Sequence, residues 1–320
     1  MRKMLKMSAR LIVALAFVVG AVPVSAASLF LSSSGTDNVL QFDATTGAFV
    51  QTFVVAGSGG LDNPGGLAFG PDGNLYVASR TTGQVLRYNG TTGAFIDAFV
   101  TAGSGGLGQP VDLAFGPDGH LYVSDFTGVA PDNILRFNGA TGAFIDIFAV
   151  EPTFNTPRHI EFAGDVLWAA GEADRIWRFD ATTGAFLNKP QSDNPRGLAV
   201  GADGRMYVST SLSGVFRHDL GTGALVDTFI AGPLPLGDND IVFGPDGNLY
   251  ASGDRVRRFD AVTSAFIDDF VPAGSGGLSG GRYLVFGPTS TVPEPGTLFL
   301  LAAGMAGLVG CRCLQWRPFR

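Results

Sequence analysis

The chain has 320 residues, of which 46% are hydrophobic, 15% charged and 11% aromatic, with 46 Gly and 18 Pro. This composition supplies enough apolar material for a large core and excludes an intrinsically disordered chain, and the glycines lack the period of collagen. The net charge is −7, and the two cysteines, Cys311 and Cys313, lie near the C-terminus without further Cys or His ligands, which excludes a disulfide framework and argues against a zinc site.

The first 26 residues have the features of a secretory signal peptide. Four basic residues precede an apolar run from Leu11 to Val22, and Val24-Ser25-Ala26 supplies the small residues of a cleavage site. The run is shorter than the ~20 residues that span a bilayer, and the alternative is an N-terminal core helix. We therefore expect a signal peptide over residues 1–26 and an exported chain that begins at Ala27.

Residues 27–290 are built from a repeat. One recurring segment joins an apolar triplet, a turn and a second apolar stretch, and its copies lie at 67–76, 113–122, 160–168, 198–207 and 241–250, with a sixth that stops early at 284–288. A second segment, aromatic-Asx-x-Thr-Gly-Ala-Phe, occurs six times, and its glycine position recurs after 46, 49, 42, 39 and 41 residues. A period of ~40–50 residues that holds four short strands is typical of a β-propeller blade.

The six copies predict an all-β fold, a six-bladed β-propeller of four-stranded antiparallel blades. Leu29-Phe30-Leu31 reads as a second strand with no first strand before it, and Tyr283–Phe286 would supply the missing one. This pairing of the C-terminal strand with the N-terminal blade would close the ring and leave no open sheet edge. The alternative is a count of five or seven blades.

Strand positions within one copy follow from turns and alternation. The Pro-Asp-Gly turn joins the first two strands, Val85–Tyr88 gives the third, and Ala94–Phe99 gives the fourth. Strict alternation predicts that Phe95 and Phe99 lie on one face of the fourth strand, where they would pack against a neighbouring blade.

The order and period of these segments, from Ser28 to Pro288, resemble NHL-repeat propellers. They also resemble, more loosely, the six-bladed gluconolactonase-like and virginiamycin B lyase-like families. This resemblance implies the fold, because propellers serve as enzymes, binding platforms and scaffolds alike.

Residues 291–320 contain three parts in a specific order. Pro293-Glu294-Pro295 is followed by an apolar segment, Leu298 to Gly310, and then by arginines at 312, 317 and 320. This order resembles the PEP-CTERM sorting signal of Gram-negative bacteria, although four glycines from Gly296 to Gly310 weaken the helix and a single arginine directly follows it. The resemblance implies a sorting motif at Pro293, Glu294 and Pro295, a short transmembrane helix, a basic tail and recognition by an exosortase-type sorting protease.

These two ends predict where the protein is found. We expect export across the inner membrane, then membrane anchoring, or release to the cell surface or extracellular matrix after C-terminal processing. The alternative is a C-terminal anchor that is never cleaved; in both cases the middle of the chain is exported.

The charge of the exported segment limits its partners. Residues 27–290 hold 14 of the 21 Lys and Arg residues but 27 of the 28 Asp and Glu residues, which gives this segment a net charge of −13. Such a surface repels phosphate backbones, so we expect no nucleic-acid partner.

Residues just before each first strand, and in the loop after each second strand, are expected at one mouth of the central channel. The predicted ligand-binding residues there are Arg158, His159, Arg196, Asp240, Arg282 and Asp112, and the loops add Arg80, Asp125, Glu172 and Asp254. Three converging guanidinium groups suit a carboxylate or sulfate on a sugar polymer. The alternative is that the arginines pair with Asp112, Glu172, Asp240 and Asp254 and line a solvated tunnel.

An enzyme is the competing interpretation. His159, Asp112 and Asp125 would be the catalytic residues of a lactonase-like or lyase-like propeller, with a divalent metal as cofactor. The positions after each second strand are Ser33, Ser79, Asp125, Gly171, Thr210 and Gly253. Because the resemblance to gluconolactonases implies several oxygen ligands there and Asp125 alone fits, we expect no metal and no cofactor. The preferred hypothesis is a non-enzymatic binding or structural protein of the cell envelope or extracellular polysaccharide matrix, whose partners are exopolysaccharide or envelope proteins.

Overall fold

The computed structural model describes residues 27–128, 131–171, 175–232, 234 and 240–287. These residues form 24 β-strands in six separate four-stranded antiparallel sheets, one for each blade of a propeller. The predicted fold class and blade number are therefore confirmed. The predicted signal peptide and sorting signal lie outside the described residues. Across the described part of the chain, nothing helical meets the length and apolar character that a bilayer span requires.

Blades follow one another along the chain. The second blade comprises β4 (Pro64–Phe69), β5 (Leu75–Ser79), β6 (Gln84–Tyr88) and β7 (Phe95–Val100). The third comprises β8 (Pro110–Phe115), β9 (Leu121–Asp125), β10 (Asn133–Phe137) and β11 (Phe144–Val150). The fourth comprises β12 (Pro157–Ala163), β13 (Val166–Gly171), β14 (Arg175–Asp180) and β15 (Phe186–Asn188). In each of these blades the lowest-numbered strand is the innermost.

The fifth and sixth blades repeat this order, and the first blade departs from it. The fifth comprises β16 (Pro195–Val200), β17 (Arg205–Thr210), β18 (Gly214–Asp219) and β19 (Leu225–Ala231), and the sixth comprises β20 (Ile241–Phe243), β21 (Leu249–Ala251), β22 (Val256–Phe259) and β23 (Phe266–Val271). The first blade combines β1 (Ser28–Ser33), β2 (Asn38–Asp43) and β3 (Phe49–Val54) with β24 (Gly281–Phe286) as its innermost strand.

The closing strand pairs where the sequence predicts. In β24 and β1, Leu284 lies opposite Leu31 and Phe286 lies opposite Leu29. Beyond the strand, the Gly287 amide donates to the Ser28 carbonyl at 2.7 Å. The chain termini of the propeller thus meet in one blade, and the inner edge of that blade is covered.

Aromatic side chains form the core between adjacent blades. Tyr76 of β5 packs edge-on against Phe99 of its own blade and Phe115 of the next, with ring centroids 4.9 and 5.0 Å apart. The Tyr76 hydroxyl also donates to Asp72 in the Pro-Asp-Gly turn at 3.0 Å. Equivalent aromatic contacts surround Tyr122, Tyr207 and Tyr250.

The prediction that Phe95 and Phe99 share one face is wrong. The register of β6 and β7 shifts between Arg87 and Tyr88, which lie opposite Asp97 and Phe95 respectively. This β-bulge inserts one residue and reverses the faces of what precedes it. Phe95 therefore packs on Tyr88 and stays 41% exposed, whereas Phe99 is buried against Tyr76.

Candidate functional site

The inner strands of the six blades surround a central channel. Four of them, β4, β8, β12 and β16, begin with a proline and shift register immediately after it. Proline has no amide to leave unpaired at the inner edge, and the bulge redirects the next side chains. The local sequence therefore sends the residues after each proline toward one mouth of the channel.

Four arginines meet at this mouth. Arg158, Arg196 and Arg282 come from inner strands β12, β16 and β24, and Arg80 follows β5. They surround a space of about 10 Å³ together with Val111, Asp240 and Tyr283. We call these four residues the arginine mouth. The structure thus brings together the three arginines of the prediction and adds Arg80, which the sequence placed only among nearby loop residues.

A polar layer lies directly inside the arginine mouth. It consists of Asp112, His159, Asp240 and Tyr283, one from each of four blades. Nδ1 of His159 lies 2.8 Å from Oδ1 of Asp240, and the His159 and Tyr283 ring centroids are 6.0 Å apart. The Tyr283 hydroxyl donates to the carbonyl of Arg158. These contacts join blades that are not adjacent and narrow the channel.

Glycine provides the room for this layer in a neighbouring blade. Gly66 occupies the position that Asp112 holds in the next blade, and a Cβ atom on Gly66 would lie 2.0 Å from Oδ1 of Asp112. No side chain fits there without displacing the carboxylate. The pattern of glycine and aspartate in adjacent copies is therefore a matter of packing.

Both aspartates of the polar layer bind backbone amides of the next blade. Oδ2 of Asp112 accepts from the Ile160 amide at 2.8 Å, and Oδ2 of Asp240 accepts from the Leu284 amide at 3.1 Å. An inner strand has no further strand beside it, so these amides would otherwise face the channel unpaired. Asp112 and Asp240 thus hold successive blades together.

Burial and charge act against each other in this layer. Burial raises the pKa of Asp112, and the positive charge of His159 offsets part of that rise. Burial by itself would lower the pKa of His159, but the negative charges of Asp240 and Asp112 outweigh it and raise this pKa well above its usual value. His159 is therefore a cation at neutral pH, and an unprotonated imidazole, as a general base requires, is scarce there.

A cavity of about 590 Å³ occupies the rest of the channel. Its walls are mainly apolar and end at Phe69, Phe115, Phe243 and Phe286. Glu161 of β12 also lines it, and burial raises the pKa of Glu161 to about 7. The sequence prediction did not include Glu161 among the site residues. A comparison of the repeats could have found it, because the other copies have Ala or Val at this position.

Other predicted residues lie away from the channel cavity. The buried carboxylate of Asp125 accepts from the amides of Gly108 and Gln109, which belong to the connection between blades. Asp254 pairs with Arg255 at 3.2 Å, and Glu172 lies outside the described residues. The structure therefore brings His159 and Asp112 together and places Asp125 apart from them. Among the residues that are described, no three His, Cys, Asp or Glu side chains are grouped to hold a metal ion.

Comparison with known families identifies the C-terminal segment. Residues 291–312 match the PEP-CTERM protein-sorting motif. The chain is a six-bladed β-propeller that carries a PEP-CTERM sorting signal. This signal implies export, membrane anchoring and processing by an exosortase, a sorting protease.

Solved structures show the same fold at low sequence identity. A chain of a nidogen/laminin complex has a TM-score of 0.61 and 15% identity, over 82% of this chain and 99% of that chain. Hydrazine synthase from Kuenenia stuttgartiensis gives 0.57 and 16%, over 74% and 81%. A gluconolactonase from Xanthomonas campestris gives 0.55 and 17%, over 71% and 79%. These structures share the propeller fold with this chain, and at identities this low the similarity shows the fold alone. No curated protein sequence matches the chain.

Proposed function

We propose that this exported propeller is a non-enzymatic binding protein of the cell envelope or extracellular matrix, and that its arginine mouth binds an acidic exopolysaccharide. The observation that carries the proposal is the convergence of four arginines at one point of a segment whose net charge is −13. A planar guanidinium forms paired hydrogen bonds with a carboxylate or sulfate group. The space between the arginines is about 10 Å³, which has no room for an enclosed small molecule, so the arginine mouth would contact a charged group of a polymer from the outside.

The direction of the chain supports this assignment. Strand β24 runs from Arg282 at the arginine mouth to Phe286 at the opposite end of the channel, where Gly287 pairs with Ser28. The six residue steps from Gly287 to Pro293 span at most about 21 Å. A propeller anchored through its sorting signal would therefore turn its arginine mouth away from the membrane, toward the surrounding matrix.

Binding to a glycan array tests the proposal. The purified protein is applied to uronate-containing, sulfated and neutral oligosaccharides, beside the triple variant Arg158→Gln, Arg196→Gln, Arg282→Gln. We expect the natural protein to prefer acidic glycans and the variant to lose at least about tenfold in affinity for them, because each lost charge-assisted contact contributes ~1.5–3 kcal/mol.

The matched control carries the same number of Arg→Gln changes away from the channel, at Arg205, Arg217 and Arg258, which pair with surface aspartates. Equal binding by both triple variants would reject the arginine mouth as the site. Binding of acidic and neutral glycans with the same affinity would reject the ligand class.

A further inference from the structure

Glu161 breaks the repeat at a position that faces the channel cavity. The five other blades place a small apolar residue there: Ala68, Ala114, Ala199, Val242 and Val285. A carboxylate at one of these six equivalent positions gives up part of its hydration when the chain folds, whereas the alanine side chain has no polar group to dehydrate. Glu161 therefore costs the fold stability, and the other five blades show that the fold does not require it.

The carboxylate of Glu161 serves no structural contact among the described residues. The influences on it are burial and the charges of His159, Asp112 and Asp240, with no hydrogen bond to it. The two aspartates, in contrast, accept inner-strand amides, and Asp240 pairs with His159. Glu161 lowers the stability of the fold and forms no hydrogen bond within it. Its carboxylate is therefore available for a hydrogen bond with a ligand.

The charges around the cavity favour a cation. Above pH 7, where Glu161 is ionised, three carboxylates, Asp112, Asp240 and Glu161, surround one imidazolium, His159. The charge of Asp240 offsets that of His159, whose Nδ1 lies 2.8 Å from Oδ1 of Asp240. The carboxylates of Asp112 and Glu161 therefore leave an excess of negative charge where the cavity meets the polar layer. In an environment of low dielectric this excess attracts a positive group more strongly than it would in water.

The remaining walls define the rest of the ligand. Alanine, valine, leucine and phenylalanine side chains line most of a volume of about 590 Å³, which lies within the usual range of small-molecule sites. We propose that the channel cavity binds a small organic amine, whose ammonium group donates hydrogen bonds to Glu161 while its apolar part lies against the Ala, Val and Phe walls. This site lies on the inner side of the polar layer, across it from the arginine mouth, and takes a ligand of the opposite charge, so its test is separate from that of the proposed function.

Three probe ligands that share a phenylethyl group distinguish the contribution of the ligand's charge to affinity from the contribution of its apolar part. Isothermal titration of the purified full-length protein at pH 8, where Glu161 is ionised, uses 2-phenylethylamine, the neutral 2-phenylethanol and the anionic 3-phenylpropionate. We expect the amine to bind at least tenfold more tightly than the alcohol and the carboxylate to bind least. Equal affinity of the amine and the alcohol, or no binding of the amine at millimolar concentration, would overturn the proposal.

Two variants assign the effect to Glu161. Glu161→Gln keeps the shape and removes the charge, and we expect it to abolish the preference for the amine while leaving the affinity for the alcohol unchanged. Asp165→Asn removes one exposed carboxylate from the same blade and should leave all three affinities unchanged. A retained amine preference in Glu161→Gln, or its loss in Asp165→Asn, would overturn the assignment.

Discussion

At the scale of the residue, Glu161 connects protonation with stability. Burial raises the pKa of Glu161 from an ordinary 4.5 to about 7, so between these values the folded chain holds a proton that the unfolded chain has released. Stability therefore falls as the pH rises through this window, because the folded state binds more protons than the unfolded state. Below pH 4.5 both states are protonated and the group has no effect.

The variant Glu161→Gln removes this dependence. We expect its free energy of unfolding to exceed that of the natural protein by roughly 1–3 kcal/mol at pH 8 and the difference to disappear near pH 4. His159, Asp112 and Asp240, which surround Glu161, are the same in both proteins. Urea unfolding at the two pH values measures this, and a difference of equal size at both would contradict the assignment of the titration to Glu161.

At the scale of the element, the arginine that precedes the aromatic end of the third strand makes different contacts in different blades. In β6, Arg87 forms a paired contact with Asp97, with Nη2 to Oδ2 at 2.6 Å, and the Asp97 side chain is 44% exposed. In β14, Arg178 is 2% exposed and its Nη2 donates to the carbonyls of Leu220 and Gly221 in the next blade. Exposed ion pairs contribute little, whereas buried hydrogen bonds from a charged group are costly to remove.

We therefore expect Arg178→Ala to lower the free energy of unfolding by about 2–4 kcal/mol and Arg87→Ala by less than about 1 kcal/mol. The Arg178 change leaves two carbonyls of the fifth blade without a donor and removes the cation above the Trp168 ring, 4.5 Å away. Urea denaturation of the two variants compares them directly. Equal losses of unfolding free energy in the two variants would show that the contact of Arg178 with the fifth blade stabilises the protein no more than the Arg87–Asp97 pair does.

At the scale of the whole molecule, stability depends on closing the ring. Leu284 of β24 packs in one apolar cluster with Leu31, Leu40 and Tyr250, which belong to the first and sixth blades. Deletion of residues 281–320 removes β24 and exposes the edge of β1, and we expect the cooperative thermal transition to be lost and the protein to aggregate. Deletion of residues 291–320 is the control, because it spares β24. Circular dichroism and size-exclusion chromatography compare the two, and a cooperative transition in the shorter chain would contradict the role of β24.

Much of this architecture could be predicted from local sequence because every blade of the propeller contains the same turn sequences at similar spacing. Each Pro-Asp-Gly turn fixes a hairpin, and each Thr-Gly turn fixes the next one. Gly47 and Gly93, for example, adopt positive φ at these Thr-Gly turns. A register shift beside this turn recurs in all six blades, and in the second blade it lies between Arg87 and Tyr88. Strict alternation makes no allowance for the extra residue of a β-bulge, and it therefore predicts the wrong face for Phe95.

The amino-acid sequence by itself determined the number of blades, the strand that closes the ring and the sorting signal, because all three are encoded by short segments and their spacing. Tertiary structure alone decided which distant side chains meet. Arg80 joins Arg158, Arg196 and Arg282, while Asp125 turns to the amides of Gly108 and Gln109. A carboxylate can bind whichever amides or cations the fold brings within about 3 Å, and that proximity exists only after six blades have closed around one axis.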